Sequence, residues 1–185
     1  YVGIVGRSGC GKSTLMRLML GFETPDSGAI YYDDYDLSEV DKSSLRQKIG
    51  TCLQSGSLFP GDVFSNITIT APWCTREDAW EAARLAGIAK DIEALPMGMN
   101  TLISEGGGGF SGGQKQRLGI ARALYKRAEV LFFDEATSAL DSDTEREITS
   151  SLEALSRFEG ELTIFIIAHR TSSLTFCDRI VEIKS

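Results

Sequence analysis

The stretch Gly6–Thr14, reading Gly-Arg-Ser-Gly-Cys-Gly-Lys-Ser-Thr, limits what this chain can fold into more than any other. It fits the pattern G-x-x-x-x-G-K-[ST] in full. An apolar strand candidate, Tyr1–Val5, leads into it, and a helical pattern over Leu15–Leu20 follows. Strand, glycine loop and helix in that order are what the pattern needs in order to act as a phosphate cradle. Gly6, Gly9 and Gly11 let the backbone wrap closely, so that N–H groups along Ser8 and Cys10 turn toward phosphate oxygens. The first turn of the helix adds unsatisfied N–H groups and a positive dipole end. Lys12 is placed to reach the β- and γ-phosphates, the Ser13 hydroxyl to ligate Mg²⁺, and Thr14 to meet the α-phosphate. By itself the loop specifies a nucleoside triphosphate and an α/β setting.

With 185 residues the chain is long enough for one domain with a sizeable core. A formal net charge of −7 offers no broad basic footprint, which disfavours nucleic acid as the partner. The longest apolar run, Leu162–Ala168, suits a buried strand and is far too short to span a bilayer. Tyr1 already lies in a strand pattern and no signal-peptide layout precedes it, so the sequence reads as a piece of something longer. Cys10, Cys52, Cys74 and Cys177 show no metal-site spacing and read as reduced thiols. Cys10 alone sits inside the phosphate loop, where a thiol reagent should block nucleotide binding and bound ATP should protect.

Turn chemistry at Pro25-Asp26-Ser27-Gly28 separates the first helix from two short strand candidates, Ala29–Tyr32 and Tyr35–Leu37. A short helix over Asp41–Lys48 and an apolar strand over Ile49–Leu53 come next, the strand delivering Gln54 at its end. Thr75-Arg-Glu-Asp78 is a capping-box pattern opening a helix to about Ala86. Ile88–Leu95 continues as helix and closes at Pro96 and Gly98. The four glycines Gly106–Gly109 predict a segment without regular structure, a linker or a hinge with Glu105 exposed. Ser111-Gly112-Gly113-Gln114 then opens a helix to about Tyr125, with Leu118, Ala121, Leu124 and Tyr125 as its apolar stripe. The glycine-rich start of that helix is a second potential anion site.

Glu129–Phe133 is a buried-strand pattern that ends in Asp134-Glu135. Two carboxylates at such a strand end need a reason to stay charged. Beside a phosphate loop the reason is Mg²⁺ for Asp134, and an attacking water oriented or deprotonated by Glu135. Ser138–Asp141 leads into a helix over Ser142–Leu155, and the strand Leu162–Ala168 ends in the single histidine, His169. A last strand is expected over Arg179–Ile183.

Taken together, Gly6–Thr14, Gln54, Ser111–Gln114, Asp134-Glu135, Ser138–Asp141 and His169 resemble, in order and spacing, the nucleotide-binding domain of ABC transporters over essentially the whole chain. The resemblance implies an α/β P-loop NTPase core: a mainly parallel sheet in three layers, a small antiparallel region and an inserted helical subdomain. The core would take 1–72 and 126–185, and the helical subdomain 73–125. It further implies that Gln54 touches Mg²⁺ and couples it to the membrane domain, that His169 meets the γ-phosphate, and that Asp141 meets a second monomer. The catalytic set would be Glu135, His169, Lys12 and Gln54, and the metal set Ser13, Gln54 and Asp134. In this family Ser111, Gly112, Gly113 and Gln114 bind the ATP held by the phosphate loop of the other chain. The family's adenine-stacking aromatic lies upstream of the loop and so outside this sequence, as two further strands lie beyond Ser185. Phe110 stands where Leu is usual.

Thr101–Gly106 is similar to the segment with which exporters contact their membrane domains, and Leu58–Gly61 with Asn66-Ile67 is exporter-like too. Asp78–Gly87 and Leu95–Gly98 resemble bacterial peptide and bacteriocin exporters in which membrane and ATPase parts are fused. The implied function is an ATP-hydrolysing motor with ATP and Mg²⁺ as cofactors, pairing head-to-tail and acting at the cytoplasmic face of the inner membrane. Two other readings stay open at this point: a nucleotide-gated dimerisation module with little turnover, and a soluble ATPase of the same family.

Overall fold

Apolar runs that are hydrophobic at successive positions, not alternate ones, belong in parallel sheets buried on both faces, and the chain follows that rule. A computed structural model describes residues 1–53, 57–73, 75–134, 140–159, 162–168, 174 and 177–184. Its central sheet is built from β1 (Val2–Val5), β4 (Ile49–Cys52), β7 (Val130–Asp134), β8 (Thr163–Ile167) and β9 (Arg179–Glu182). The strand order is β4-β7-β8-β1-β9, and every pairing is parallel. The doubly covered P-loop architecture implied by the sequence is therefore present, with β1 between β8 and β9.

Side chains alternate between the two faces. Leu131 and Phe133 enter one apolar cluster with Cys52, Ile164 and Ile166, whereas Phe132 enters a second with Ile4, Ile49 and Ile167. Phe132 stacks on Phe165 of the neighbouring strand, ring centroids 4.8 Å apart. The second cluster is closed by α1 (Lys12–Met19) through Met16, and by α2 (Lys42–Gln47) through Leu45. A two-stranded antiparallel ribbon, β2 (Tyr31–Tyr32) and β3 (Tyr35–Asp36), lies beside them. Within it Tyr32 faces inward and donates its hydroxyl to the Met19 carbonyl at 2.8 Å, while Tyr31 and Tyr35 face solvent.

The first cluster is covered by helices: α3 (Val63–Thr68), α4 (Arg76–Leu85), α5 (Ala89–Glu93) and α6 (Gly112–Tyr125). The alanines of α4 allow close packing; Ala79, Ala82 and Ala83 are all buried. The Thr75–Asp78 capping box forms as predicted, with both reciprocal bonds in place. α6 lies directly on β4: a side chain at Gly50 would strike the Ala123 carbonyl at 2.8 Å, and Gly119 sits against Cys52 Sγ. α7 (Ser142–Glu159) completes the layer sequence.

Two elements differ from expectation. α1 begins at Lys12, three residues before the predicted apolar start, because the loop glycine Gly11 ends the turn at φ 99° and the chain coils at once. The glycine segment is also more ordered than its composition suggests. β6 (Leu102–Ile103) pairs antiparallel with β5 (Gly61–Asp62), and Glu105–Gly107 makes a single tight turn. Gly106 and Gly107, at φ 75° and 74°, supply the left-handed conformations that turn requires.

Candidate nucleotide site

The sheet brings the two ends of the predicted site to one edge. β1 runs straight into the loop that starts at Gly6. Ile4 is in register with Ile167, and Ile167 with Asp134. Asp134 therefore lies two strands from Ile4, about 10 Å at ordinary strand spacing, on the same C-terminal edge from which the loop rises. This edge is where open parallel sheets present ligand groups.

The loop is shaped by its glycines. Gly9 and Gly11 hold φ values of 81° and 99°, and a side chain at either would meet nothing within 4 Å. They are needed for the backbone path, and the space in front of them is open. Gly6 is different: a Cβ there would collide with Cys10 Sγ at 2.5 Å and with the Ile183 carbonyl at 2.7 Å. Its role is close approach of the loop to its own return path and to the segment after β9.

Lys12 is buried, 5% exposed. Its ammonium donates to the carbonyls of Gly6 at 2.8 Å and Arg7 at 3.0 Å, and lies 3.9 Å from Cys10 Sγ. Among the described residues no carboxylate pairs with it. A buried ammonium compensated only by carbonyl dipoles retains most of its positive field. The N-terminus of α1 adds to that field, since its N-cap Gly11 offers no side-chain acceptor and no acidic residue stands in the first turn. Ser13 and Thr14 expose their side chains on that turn.

These residues fit ATP and Mg²⁺. The open glycine cradle, the uncapped helix end and Lys12, with which no carboxylate pairs among the described residues, suit a triphosphate. The Ser13 hydroxyl and the Asp134 carboxylate are hard oxygen donors. Mg²⁺ commonly takes one or two protein oxygens and fills its shell with phosphate and water. Among the described residues no group of three or more His, Cys, Asp or Glu gathers into a metal cage.

The second anion-facing element is the start of α6. Ser111 is its N-cap, and a full capping box forms: Ser111 Oγ accepts from the Gln114 N–H at 3.2 Å, and Gln114 Oε1 accepts from the Ser111 N–H at 2.9 Å. Gly112 faces open space. The other end of the Gln114 amide donates to Asp91 Oδ1 at 2.8 Å, and Arg117 donates to Asp91 Oδ2 at 2.9 Å and to the Gly87 carbonyl at 2.6 Å. Lys115 donates to the Gly106 carbonyl at 2.8 Å, tying the glycine turn to the same helix end. The Gln114 side chain is thus committed within its own chain, and Ser111, Gly112 and Gly113 form the part turned outward.

Gln54, Glu135, Ser138 and His169 lie outside the described residues, as does Cys74. Asp141 is described: its carboxylate accepts the Thr144 N–H at 3.0 Å and hydroxyl at 2.7 Å, capping α7. These bonds, the backbone one foremost, hold its pKa below the ordinary aspartate value.

A polar knot not foreseen from the sequence stands around Ser57–Phe59, a few positions after Gln54 in sequence. Asn66 is buried; its side chain accepts from the Phe59 N–H and donates to the Phe59 and Asp62 carbonyls at 2.8–3.0 Å. Arg122, from α6, donates to the Asn66 and Ser57 carbonyls and lies over the Phe59 ring at 4.9 Å. Burial pulls the Arg122 pKa down and pushes the Cys52 thiol up to about 12. Beside this knot a groove of about 410 Å³ is lined by Thr51, Leu53, Phe59, Ile69, Arg122 and Lys126. Leu53, Phe59 and Ile69 are exposed there. Asn66 and Arg122 are 56 positions apart in the chain, and no local pattern announces such a pairing.

Comparison with known proteins agrees with this geometry. The family model described as ABC transporter matches residues 1–138. The alpha-hemolysin translocation ATP-binding protein HlyB of Escherichia coli O157:H7 is 47% identical over 180 residues, which is 97% of this chain and 25% of that protein. The cyclolysin secretion/processing ATP-binding protein CyaB of Bordetella pertussis (strain Tohama I) is 47% identical over 183 residues, 99% of this chain and 25% of that protein. The chain thus spans about a quarter of the length of these relatives. Among solved structures, a bacterial Atm1-family ABC exporter with ATP bound superposes with a TM-score of 0.94 at 40% identity, covering 99% of this chain and 32% of that one.

Proposed function

The chain belongs to the ABC transporter family, as an ATP-binding domain of exporter type, and on that premise we propose that it is the motor of an exporter, hydrolysing ATP between two such domains paired head-to-tail. The observation that carries this reading is the placement of the two anion-facing helix starts. α1 closes the apolar cluster on one face of the sheet and α6 the cluster on the other. The two helix starts thus stand on opposite sides of the sheet, and a second copy would let each loop meet the other's Ser111–Gly113.

Within the paired site the residues have distinct tasks. Gly6–Thr14 binds the triphosphate, and Lys12 neutralises charge on its β- and γ-phosphates. Ser13 and Asp134, with Gln54, would hold Mg²⁺, which when bound would supply electrostatic stabilisation of the phosphate oxygens. Glu135 positions the attacking water and takes its proton, and His169 stabilises the γ-phosphate. Closure of the pair positions these groups and excludes water. The groove beside Leu53, Phe59 and Ile69, of which Leu53 directly precedes Gln54 in sequence, offers an apolar seat for the membrane-spanning part. The domain works at the cytoplasmic face of the cell membrane. The core comprises 1–72 and 126–185 and the helical subdomain 73–125. α3, on the core side of that division, shares the apolar cluster of α4–α6.

The cargo is a polypeptide. The names of the relatives, which concern α-hemolysin and cyclolysin, support a protein; the sequence resemblance in 78–98 favours a peptide or bacteriocin. The decisive experiment is Glu135→Gln in the full-length transporter. We expect ATP to hold it as a closed pair with hydrolysis reduced at least about a hundredfold, seen by nucleotide trapping and ATPase assay. Hydrolysis at the parental rate would remove Glu135 from the chemistry.

A further inference from the structure

The outward-facing part of α6 is only as well placed as its capping box, and the box depends on a residue from another helix. Gln114 has an amide with two chemically different ends. Its Oε1 must face the Ser111 N–H for the box to close, which it does at 2.9 Å. A half-turn of the amide would put an NH₂ against that N–H and open the box. The Nε2 end is fixed by Asp91 Oδ1 at 2.8 Å. A carboxylate only accepts, so Asp91 admits the NH₂ end and rejects the oxygen end. Its second oxygen is occupied by Arg117 at 2.9 Å, one turn further along α6, and Arg117 is held in turn by the Gly87 carbonyl at 2.6 Å. Gly87 closes α4 in a left-handed conformation, φ 67°, which turns its carbonyl region toward Arg117. Both ends of the Asp91 carboxylate are thus engaged, in a partly buried site where its side chain is 28% exposed.

We infer that Asp91 is a positioning residue for ATP-driven pairing: it sets the orientation of the Gln114 amide, and through it the Ser111 hydroxyl and the Gly112 and Gly113 N–H groups that meet the nucleotide of the partner chain. This rests on the reading of Ser111–Gly113 as the second half of the site. Asp91 acts through hydrogen-bond polarity, and its own charge lies behind the capping box. Loss of that polarity should weaken closure of the pair while leaving the phosphate loop untouched.

The test is a double-mutant cycle in the full-length transporter, using Asp91→Asn, Ser111→Ala and the double variant, with Asp91→Glu as the conservative control. Asn has nearly the same shape but presents one NH₂, which sets a donor against either Gln114 or Arg117. Asp91→Asn is expected to raise the ATP concentration for half-maximal hydrolysis about tenfold, with the thermal midpoint held within a few degrees. The double variant is expected to match Ser111→Ala alone, because both lesions act through one box. Asp91→Glu, which keeps two acceptor oxygens, is expected to recover most of the loss.

Wild-type behaviour of Asp91→Asn beside an impaired Ser111→Ala would overturn the inference and leave the paired-site reading standing. Additive effects in the double variant would overturn it too, since the residues would then act independently. Wild-type behaviour of Ser111→Ala would instead sink the paired-site reading itself. Should Asp91→Asn fail to accumulate, the cycle is run with Asp91→Glu and Asp91→Ser. Recovery by Glu but not Ser supports the role, and equal behaviour of the two refutes it.

Discussion

The molecule carries two glycine-rich helix starts, and they are built in opposite ways. The start of α1 is left bare: its N-cap is a glycine, no side chain caps it, and the nearest cation is turned inward onto loop carbonyls. The start of α6 is dressed, with Ser111 and Gln114 satisfying each other's N–H groups and Asp91 bracing the amide from behind. An uncapped end leaves its orphan donors for a ligand of high charge, at a cost in local stability while empty. A capped end retains fewer free donors but has a fixed shape. The first is a binding surface that waits to be completed; the second is a template that completes something else. Neither places an acidic residue in its first turn, whereas α4 carries Glu77 and Asp78 there. Both ends keep clear the position where an anion must land.

The largest effect should come from removing the inward-turned cation. Lys12→Ala in the full-length transporter is expected to lower ATP hydrolysis at least about a hundredfold with little change in thermal midpoint. Retention of more than a tenth of the parental rate would show that the bare helix end suffices without it.

A smaller and more discriminating contrast comes from one methyl group at each end. Gly11→Ala forces an L residue to φ 99°, a strain of about 1–2 kcal/mol, and should raise the ATP requirement about tenfold. Gly112→Ala faces open space and helical backbone within this chain, so the thermal midpoint should hold or rise slightly. Any fall in hydrolysis from Gly112→Ala then measures the approach of another molecule. Equal loss of folding stability in both variants would erase the proposed difference between the two ends.

The smallest effect concerns acid. Asp41 and Asp141 cap α2 and α7, Asp78 closes the capping box of α4, and hydrogen bonds from Ser44, Thr144 and Thr75 lower their pKa values. A depressed folded pKa contributes stability above the unfolded value, which is lost as pH falls through the folded one. The denaturation midpoint should therefore fall as pH drops below about 4. Asp78→Asn should lower the midpoint at pH 6, with the gap closing toward pH 3. A gap that persists unchanged into acid would mean that Asp78 acts by shape alone.

How much of this was legible in the sequence depended on distance along the chain. The phosphate loop, the Thr75–Asp78 box and the strand ending at Asp134 are local patterns, and each stands where its residues predict. α3 was within reach: Asp62 accepts the Ser65 N–H as an N-cap, and Asp-Val-Phe-Ser is a helix start that its two-residue strand neighbour obscures. The Asp91–Gln114–Arg117 brace and the Asn66–Arg122 knot were not legible. Their partners are 23 to 56 positions apart and owe their meeting to the packing of α3, α5 and α6, which leaves no period in the sequence. Strand order was hidden for the same reason, since similar apolar runs do not state which is whose neighbour.

The seam between α6 and β4 gives that helix a mechanical character. Gly50 beneath the Ala123 carbonyl and Gly119 against Cys52 Sγ bring helix and sheet together with no side chain of their own at either glycine. Such a close seam resists sliding of the helix along the sheet more than a tilt about the contact. α6, 14 residues and about 21 Å long, is then a beam resting on a fulcrum. Its short arm ends at Lys126, clamped to the Arg46 and Ile49 carbonyls. Its long arm ends at Ser111, where a small tilt becomes the larger displacement.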